Sequence, residues 1–289
     1  MYESFYGFKA RPFGLLPQEE FMFLSRQHRM ARDLLVYGLS NRALFCVVCG
    51  DIGTGKTTLL QYLLRRRASR ISVGMITGMS GSFLELLQWT LAAFGLEYKG
   101  LDKIGMQHAL IDFAKREESR GARMVLVVDE AQVLKPEVLE ELRLFSNAST
   151  GHAPLLQIVL AGQLSLRDTL RSPEMRQLAQ RVGVDYTLKP LDKEQTHAYI
   201  RHRLTVAGPV REDLFAPEAC DAIFRVSRGI PRIVNLLCDT ALVYGYADER
   251  PTIDAAIVKA MLNDKTRAGG WLFRPKRRRL PRPTEPTAA

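Results

Sequence analysis

The chain has 289 residues, of which 46% are hydrophobic and 25% are charged, proportions that exclude both an intrinsically disordered protein and a small scaffold stapled by disulfides or metals. At this length we expect about two domains. The net charge is +10, and the segment from Lys265 to the end, with eight basic residues and one acidic residue, contributes +7 of it.

Short apolar runs alternate with helical stretches along the first two thirds of the chain, which predicts a parallel sheet covered by helices. Strands are predicted at 44–49, 71–77, 124–128, 156–161 and 184–188. The helices between them are predicted to begin at Gly55, Gly81, about Gln107 and Pro136, where proline suits the first helical position. The sequence thus predicts an α/β core with a five-stranded parallel sheet.

After Lys189 and Pro190 the pattern becomes purely helical. Helices are predicted at 192–206, 217–227, 231–247 and 252–263, and Asp192 with Gln195 has the form of a capping box. We therefore predict an αβα domain with an N-terminal extension over residues 1–190, a small all-helical domain over 191–264 and a basic flexible tail over 265–289.

Two of the four cysteines, Cys46 and Cys49, have the spacing of a redox or zinc-binding pair. They lie in a predicted buried strand, however, where an offset of three residues places the two sulfur atoms on opposite faces of the sheet. The spacing therefore favours two structural cysteines.

The segment from Gly50 to Thr57, GDIGTGKT, matches the phosphate-loop pattern G-x-x-x-x-G-K-[ST] between a predicted strand and a predicted helix. Its glycines let successive backbone N–H groups face a phosphate, Lys56 reaches the β- and γ-phosphate oxygens, and the Thr57 hydroxyl binds Mg²⁺. The predicted nucleotide-contacting residues are Gly50, Asp51, Ile52, Gly53, Thr54, Gly55, Lys56, Thr57 and Thr58.

A second acidic motif, Asp129-Glu130, follows the apolar run at 124–128. Acids at the carboxyl end of a parallel strand emerge beside the phosphate loop, where such sheets bind ligands. We expect Asp129 to hold Mg²⁺ together with Thr57, and Glu130 to polarise the attacking water. The alternative is a strand that ends in two solvated acids.

Four further residues are candidates for contacts with the γ-phosphate. Gln163 follows the fourth strand and is predicted to bond the water or the γ-phosphate, or merely to start a turn. Arg176 and Arg181 precede the fifth strand, and Arg232 lies in the first turn of a helix. An isolated arginine on a helix is most often a solvated charge, so the residue types alone do not assign these roles.

Taken together, the phosphate loop, the Asp129-Glu130-Ala-Gln132 segment, Gln163, the run Met175–Arg181 and the Gly-Ile-Pro-Arg232 segment resemble AAA+ ATPases of the ExeA/GspA type. The opening, with Tyr2-Glu-Ser-Phe-Tyr-Gly-Phe and Leu24-Ser-Arg-Gln-His28, is also similar to the start of those proteins. Within this group the chain looks closest to the secretion ATPase encoded in exosortase/PEP-CTERM loci.

The resemblance implies a three-layer P-loop core with a helical lid, ATP as the substrate and Mg²⁺ as its cofactor. It also implies that Gln163 is the first sensor, that Arg232 is the second sensor in the lid, and that Arg181 is an arginine finger, with Arg176 the weaker candidate. A finger acts across a subunit boundary, which implies a ring or filament with ATP between protomers. Such an arginine is worth about 10³ to 10⁵ in rate.

The expected cellular location rests on two observations, the lack of a membrane-spanning run or secretory signal and the basic tail. No apolar run approaches the length of about 20 residues that a membrane-spanning helix needs, and the first five residues do not resemble a secretory signal. We therefore expect a cytoplasmic protein. Trp271, Phe273 and the basic residues up to Arg282 are consistent with docking at the inner face of an anionic membrane, with binding to duplex DNA, or with a merely solvated tail.

Two functions follow from these alternatives. One is an ATPase that serves a secretion or exopolysaccharide-export system of the exosortase type through membrane-associated partner proteins. The other is a DNA-binding AAA+ regulator of the transposition-accessory type, which uses the same ATPase module.

Overall fold

The computed structural model describes residues 1–16, 19–65, 71–146, 154, 156–208 and 213–267. Its strands are β1 (Phe45–Gly50), β2 (Ile71–Thr77), β3 (Arg123–Asp129), β4 (Leu156–Gly162) and β5 (Val182–Leu188). Its helices are α1 (Tyr2–Tyr6), α2 (Arg26–Ser40), α3 (Lys56–Arg65), α4 (Phe83–Ala93), α5 (Lys103–Ser119), α6 (Pro136–Ser146), α7 (Leu164–Leu170), α8 (Arg176–Ala179), α9 (Lys193–Ala207), α10 (Pro217–Ser227), α11 (Pro231–Ala247) and α12 (Ala255–Arg267). The aromatic and basic cluster that the sequence analysis singled out between Trp271 and Arg282 lies outside the described residues.

The five strands form one parallel sheet in the order β2-β3-β4-β1-β5, which confirms the predicted sheet. Each observed strand begins and ends within about two residues of its predicted bounds, because buried parallel strands read as continuous apolar runs. Strand β4 lies between β3 and β1. The carboxyl ends of these three strands, at Asp129, Gly162 and Gly50, are therefore neighbours at one edge of the sheet.

Helices cover both faces of this sheet. One face carries Phe45, Val47 and Cys49 of β1 and packs against α4 to α8, whereas Cys46 and Val48 face α2 and α3. The two cysteines lie on opposite faces, as predicted, and burial raises the pKa of each thiol to about 11. A buried thiol of this kind stays protonated, so both cysteines act as core residues.

The helix starts follow local capping signals. The prediction is correct for α6 at Pro136 and within one residue for α3, while α4 and α5 begin after Ser82 and Asp102, whose side chains accept backbone N–H bonds at the helix start. Helix α2 was not predicted. Ser25 caps it, and its buried face packs on β1 and β5.

The helices α9 to α12 pack around a separate apolar core, which agrees with the predicted helical region after residue 190. Asp192 caps α9 by accepting a bond of 2.7 Å from the Gln195 N–H. Helix α12 begins three residues later than predicted, because Ile253 forms a bridge with Phe215 and Asp254 caps the helix. It continues to Arg267 and so includes the first residues of the predicted tail.

The N-terminal segment contributes to the core of the helices α9 to α12, which we call the lid. Tyr2, Phe8, Phe13 and Phe21 belong to the same apolar cluster as α9 to α12, although the sequence analysis grouped them with the αβα domain. The Lys9 N–H also donates to the Ala207 carbonyl at 2.8 Å. The segment therefore connects the lid to the sheet domain, and the exact domain boundaries stay a prediction.

None of the helices in the described ranges is long and apolar enough to cross a membrane.

Candidate nucleotide-binding site

The loop from β1 to α3 has the backbone of an anion cradle. Gly53 and Gly55 have φ angles of +82° and +96°, a region that favours glycine. A Cβ atom on Gly53 would lie 2.6 Å from Cβ of Arg232, and one on Gly55 would lie 3.1 Å from Nε2 of His28. Both conformation and space therefore require glycine, and the bare backbone remains open to a phosphate.

Lys56 is the buried cation of this loop and is 5% exposed. Its Nζ donates to the Gly50 carbonyl at 2.9 Å and to the Asp51 carbonyl at 3.1 Å. Burial lowers the pKa of Lys56, and the negative charges of Glu130 and Asp129 partly oppose that effect. A triphosphate offers this ammonium group stronger acceptors than neutral carbonyls.

Thr57 and Asp129 meet at the start of α3. The Thr57 hydroxyl donates to Oδ2 of Asp129, which is buried at the end of β3. A hydroxyl oxygen and a carboxylate oxygen side by side are ligands that Mg²⁺ accepts in proteins. The two residues predicted to hold the metal are therefore together, and their oxygen chemistry fits Mg²⁺.

Glu130 directly follows β3 and has a left-handed backbone with φ of +57°. Its N–H donates to Oδ1 of Asp129 at 2.9 Å, and its carboxylate accepts a bond of 2.6 Å from Nε2 of Gln132. The Oε1 atom of Gln132 accepts from the Gln163 N–H at 2.9 Å. The predicted acid and the predicted sensor are thus joined through Gln132, a contact that the sequence analysis did not foresee.

A cavity of about 310 Å³ opens over the phosphate loop. Its walls come from the phosphate loop, the N-terminal segment and the lid. Of the predicted site residues, those that line it are Ile52, Gly53, Thr54, Gly55, Lys56, Thr57, Thr58, Glu130 and Arg232. Gly50 and Asp51, at the start of the loop, are not lining residues, and their carbonyls accept the bonds from Lys56.

The wall formed by the lid joins the phosphate loop directly. The Arg232 N–H donates to the Gly53 carbonyl at 3.2 Å. The preceding turn is held by Gly229, whose carbonyl accepts from the Leu191 N–H at 2.9 Å, and a Cβ on Gly229 would lie 1.8 Å from the Leu191 carbonyl oxygen. Only glycine permits this approach, which places Arg232 at the cavity.

Part of the cavity wall is formed by residues that the sequence analysis missed. Arg203 is 5% exposed and lies over the Phe21 ring, 4.5 Å from its centroid, while its Nε donates to the Pro12 carbonyl at 2.5 Å. Tyr199 donates to Asn235 at 2.8 Å in the same wall. This mixed aromatic and polar part of the wall has the chemistry of a pocket for a planar base.

His28 supports the loop and also lines the cavity. Its Nε2 lies 3.0 Å from the Thr54 carbonyl and its Nδ1 lies 2.7 Å from the Ser25 hydroxyl. Since a carbonyl can only accept, Nε2 carries the proton in the neutral ring and Nδ1 accepts from Ser25. Burial lowers the pKa of His28, which favours that neutral form. The neighbouring Gln27 accepts from the Lys189 N–H at 2.9 Å and so holds the linker to the lid.

The remaining predicted residues, Gln163, Arg176 and Arg181, are not lining residues of the cavity. Arg176 and Arg181 are exposed at the two ends of the short α8 segment before β5, and neither is a lining residue of the cavity. Gln163 is half-buried at the start of α7, and the bond that links it to Gln132 is made by its backbone N–H. The two arginines are therefore on the surface of the described chain, and their predicted role as fingers stays a prediction.

Comparisons with known proteins agree with the resemblance that the sequence motifs indicate. Residues 40–170 match the family model described as an AAA domain. The chain is 40% identical over 253 residues to general secretion pathway protein A of Aeromonas hydrophila, a match that covers 86% of this chain and 45% of that protein. It is 35% identical over 103 residues to the ATP-dependent target DNA activator B of Escherichia phage Mu, covering 36% of this chain and 31% of that protein.

Among solved structures, the ORC2 protein of Aeropyrum pernix in its ADPNP-ADP complexes is similar in fold, with a TM-score of 0.66 and 15% identity. This similarity covers 89% of the chain and 72% of that structure. The chain spans less than half the length of the two curated relatives. The matched domain, the long match to the secretion protein and the parallel sheet with its helical region confirm the predicted resemblance to AAA+ ATPases of the ExeA/GspA type and the predicted P-loop fold.

Proposed function

We propose that the chain binds and hydrolyses ATP at the cavity over the phosphate loop and uses the energy to drive a change in a partner. The observation that carries this proposal is the meeting of three groups at one strand edge: the glycine cradle with Lys56, the Thr57–Asp129 oxygen pair, and the Glu130 carboxylate at the cavity. These groups meet the three needs of phosphoryl transfer, which are anion binding, metal binding and positioning of water.

Each residue of the candidate site has a definite role in this proposal. The N–H groups of the loop and Lys56 bind the phosphates, while Thr57 and Asp129 hold Mg²⁺, which neutralises charge on the transferring phosphoryl group when it is bound. Glu130 accepts a hydrogen bond from the attacking water and so orients it. Arg232 and Gln163 contact the γ-phosphate region from the lid and from the end of β4, and Arg203 and Tyr199 face the base.

The arginine finger is proposed to come from a neighbouring protomer. Arg181 is exposed and does not line the cavity of its own chain, with Arg176 as the second candidate. A ring or filament would bring this edge of one copy against the cavity of the next. The site would then be complete only at an interface, so turnover would depend on assembly.

The system that the ATPase serves is proposed from the secretion relative. The 40% identity to general secretion pathway protein A supports a role in a secretion or exopolysaccharide-export system of the exosortase type. The partners would be membrane-associated proteins, and the location would be the cytoplasm or the inner membrane face. The basic segment after Lys265 would contribute about 1 kcal/mol for each cation near an anionic bilayer.

A DNA-binding regulator is the second candidate. The 35% identity to the phage protein whose name includes target DNA activation favours it, as does the basic segment after Lys265. ATP turnover measured with duplex DNA and with anionic liposomes separates the two. Stimulation by liposomes alone supports the secretion role, and stimulation by DNA that weakens steeply with salt supports the regulator.

Two substitutions test the ATPase itself. We expect Lys56→Ala to abolish binding of a fluorescent ATP analogue with Mg²⁺, because the buried cation that neutralises the phosphates is lost. We expect Glu130→Gln to bind the analogue normally but to lose turnover, because the amide is a poor acceptor for the water proton. Lys115→Ala and Glu97→Gln, on exposed residues outside the cavity, are the matched controls. Turnover by Glu130→Gln at the parent rate would show that the assigned role is wrong.

A further inference from the structure

Gln132 is the one residue in the described ranges whose recorded bonds join the Glu130 carboxylate to the end of β4. Its Nε2 donates to Oε2 of Glu130 at 2.6 Å, and its Oε1 accepts from the Gln163 N–H at 2.9 Å. We propose that Gln132 is a positioning residue, which fixes the carboxylate of Glu130 relative to the Gln163 turn. This inference rests on the proposed ATPase function and adds a residue to it.

The chemistry of the link requires a side-chain amide of this length. A carboxylate needs a donor and a backbone N–H needs an acceptor, and a side-chain amide supplies both from one planar group. A glutamate at position 132 keeps only the acceptor, and an apolar side chain keeps neither. Glutamine is therefore matched to the two groups that it joins.

The packing at Gly162 shows that the link is tightly enclosed. A Cβ atom on Gly162 would lie 2.9 Å from Oε1 of Gln132 and 2.8 Å from Cδ2 of Leu166. Gly162 is the last residue of β4, so its small size leaves room for the amide to cross the strand end. The Gln132 amide thus has little freedom to move away from its two partners.

The link acts on turnover and not on nucleotide binding. Gln132 is not a lining residue of the cavity, and its two recorded partners are Glu130 and Gln163, neither of which belongs to the phosphate loop. Loss of the amide frees the Glu130 carboxylate to rotate, while Lys56, Thr57 and Asp129 keep their contacts. A misplacement of about 1 Å in such a group is enough to lower the rate about 100-fold.

The test compares Gln132→Met and Gln132→Glu with the parent chain and with Gln107→Met, a half-buried glutamine on α5 outside the cavity. For each protein, kcat, KM for ATP, the Kd of a fluorescent Mg²⁺–ATP analogue and the thermal midpoint are measured. We expect both Gln132 variants to lose about 10- to 100-fold in kcat, with unchanged KM and Kd. The Gln107 variant should match the parent.

Gly162→Ala is a second variant, because it keeps Gln132 and displaces it. We expect the same loss of kcat at unchanged Kd. Parent-like kcat in Gln132→Met and Gln132→Glu would overturn the inference, and so would a loss of kcat that follows only the fall in thermal midpoint. If the parent chain itself has no turnover under any of the assembly conditions, the proposed function fails instead, and the two failures are distinguishable.

Discussion

At the scale of single residues, the phosphate loop depends on a neutral histidine. His28 donates from Nε2 to the Thr54 carbonyl and accepts at Nδ1 from Ser25, whose hydroxyl also caps α2. A proton on Nδ1 would place a donor opposite the Ser25 hydroxyl and a charge in a buried position. The protonation state of one ring thus affects both the loop and the helix behind it.

This arrangement predicts a pH dependence of stability. Because burial lowers the pKa of His28, the unfolded chain takes up its proton at a higher pH than the folded chain. The free energy of unfolding should therefore fall as the pH drops below about 6.5, and it should go on falling until the folded-state pKa is reached. We expect His28→Gln, whose amide can still donate to Thr54, to make this slope shallower in urea unfolding curves between about pH 7 and pH 5.

His202 provides the internal comparison. Burial lowers its pKa as well, so some acid sensitivity should remain in His28→Gln. His202→Gln should remove the acid sensitivity that His202 contributes, and the double variant should remove both contributions, since the two residues lie on different helices, α2 and α9. An unchanged slope in His28→Gln would mean that the ring does not carry the proposed share of the pH dependence.

At the scale of secondary structure, the sequence predicted those strands and helices whose formation depends on residues close together in the chain. The strands were found because both faces of a covered parallel sheet are apolar, and α10 and α11 were found because proline marks their first turns. The missed helix α2 had a local signal as well, since Ser25 caps it. Its Gly38 obscured the pattern, because that glycine is explained only by tertiary packing: its Cβ would lie 2.6 Å from Val184 of β5 and 2.8 Å from the Cys46 sulfur of β1.

The cap of α9 gives a prediction for an element. Asp192 accepts from the Gln195 N–H, and α9 carries Tyr199 and Arg203 into the cavity wall. We expect Asp192→Ala to lower the free energy of unfolding by about 1 kcal/mol, because the first turn loses an acceptor for its free N–H groups. Asp192→Asn keeps an acceptor and is the matched control in urea unfolding. An equal loss in both variants would assign the effect to charge and not to capping.

At the scale of the whole molecule, the cavity joins three segments that are far apart in the sequence. Its walls include residues near Phe21, the phosphate loop and the lid residues up to Asn235. The phosphate loop and the acidic motif could be predicted, since each is a short pattern with its own chemistry. Arg203, Asn235 and Gln132 could not, because their partners are set by tertiary packing and no local pattern records those partners.

Assembly gives the last prediction, because the two candidate fingers lie on the surface and do not line the cavity. If Arg181 completes the site of a neighbouring copy, turnover per subunit rises with protein concentration. Arg181→Ala should remove that rise and lower the rate about 10³-fold. Arg176→Ala is the matched variant and should keep the rise. If Arg176→Ala removes the rise and Arg181→Ala keeps it, the finger is Arg176 instead.

A mixture of two inactive variants tests the shared site directly. Glu130→Gln subunits should bind ATP and still present Arg181, whereas Arg181→Ala subunits should keep Glu130 and lack only the finger. Each variant alone should be nearly inactive. When the two are mixed, each site formed by an Arg181→Ala cavity and a Glu130→Gln neighbour has every required group, so turnover should reappear and should be greatest near equal amounts. Turnover of the mixture that equals the sum of its parts would show that each chain hydrolyses ATP without a residue from its neighbour.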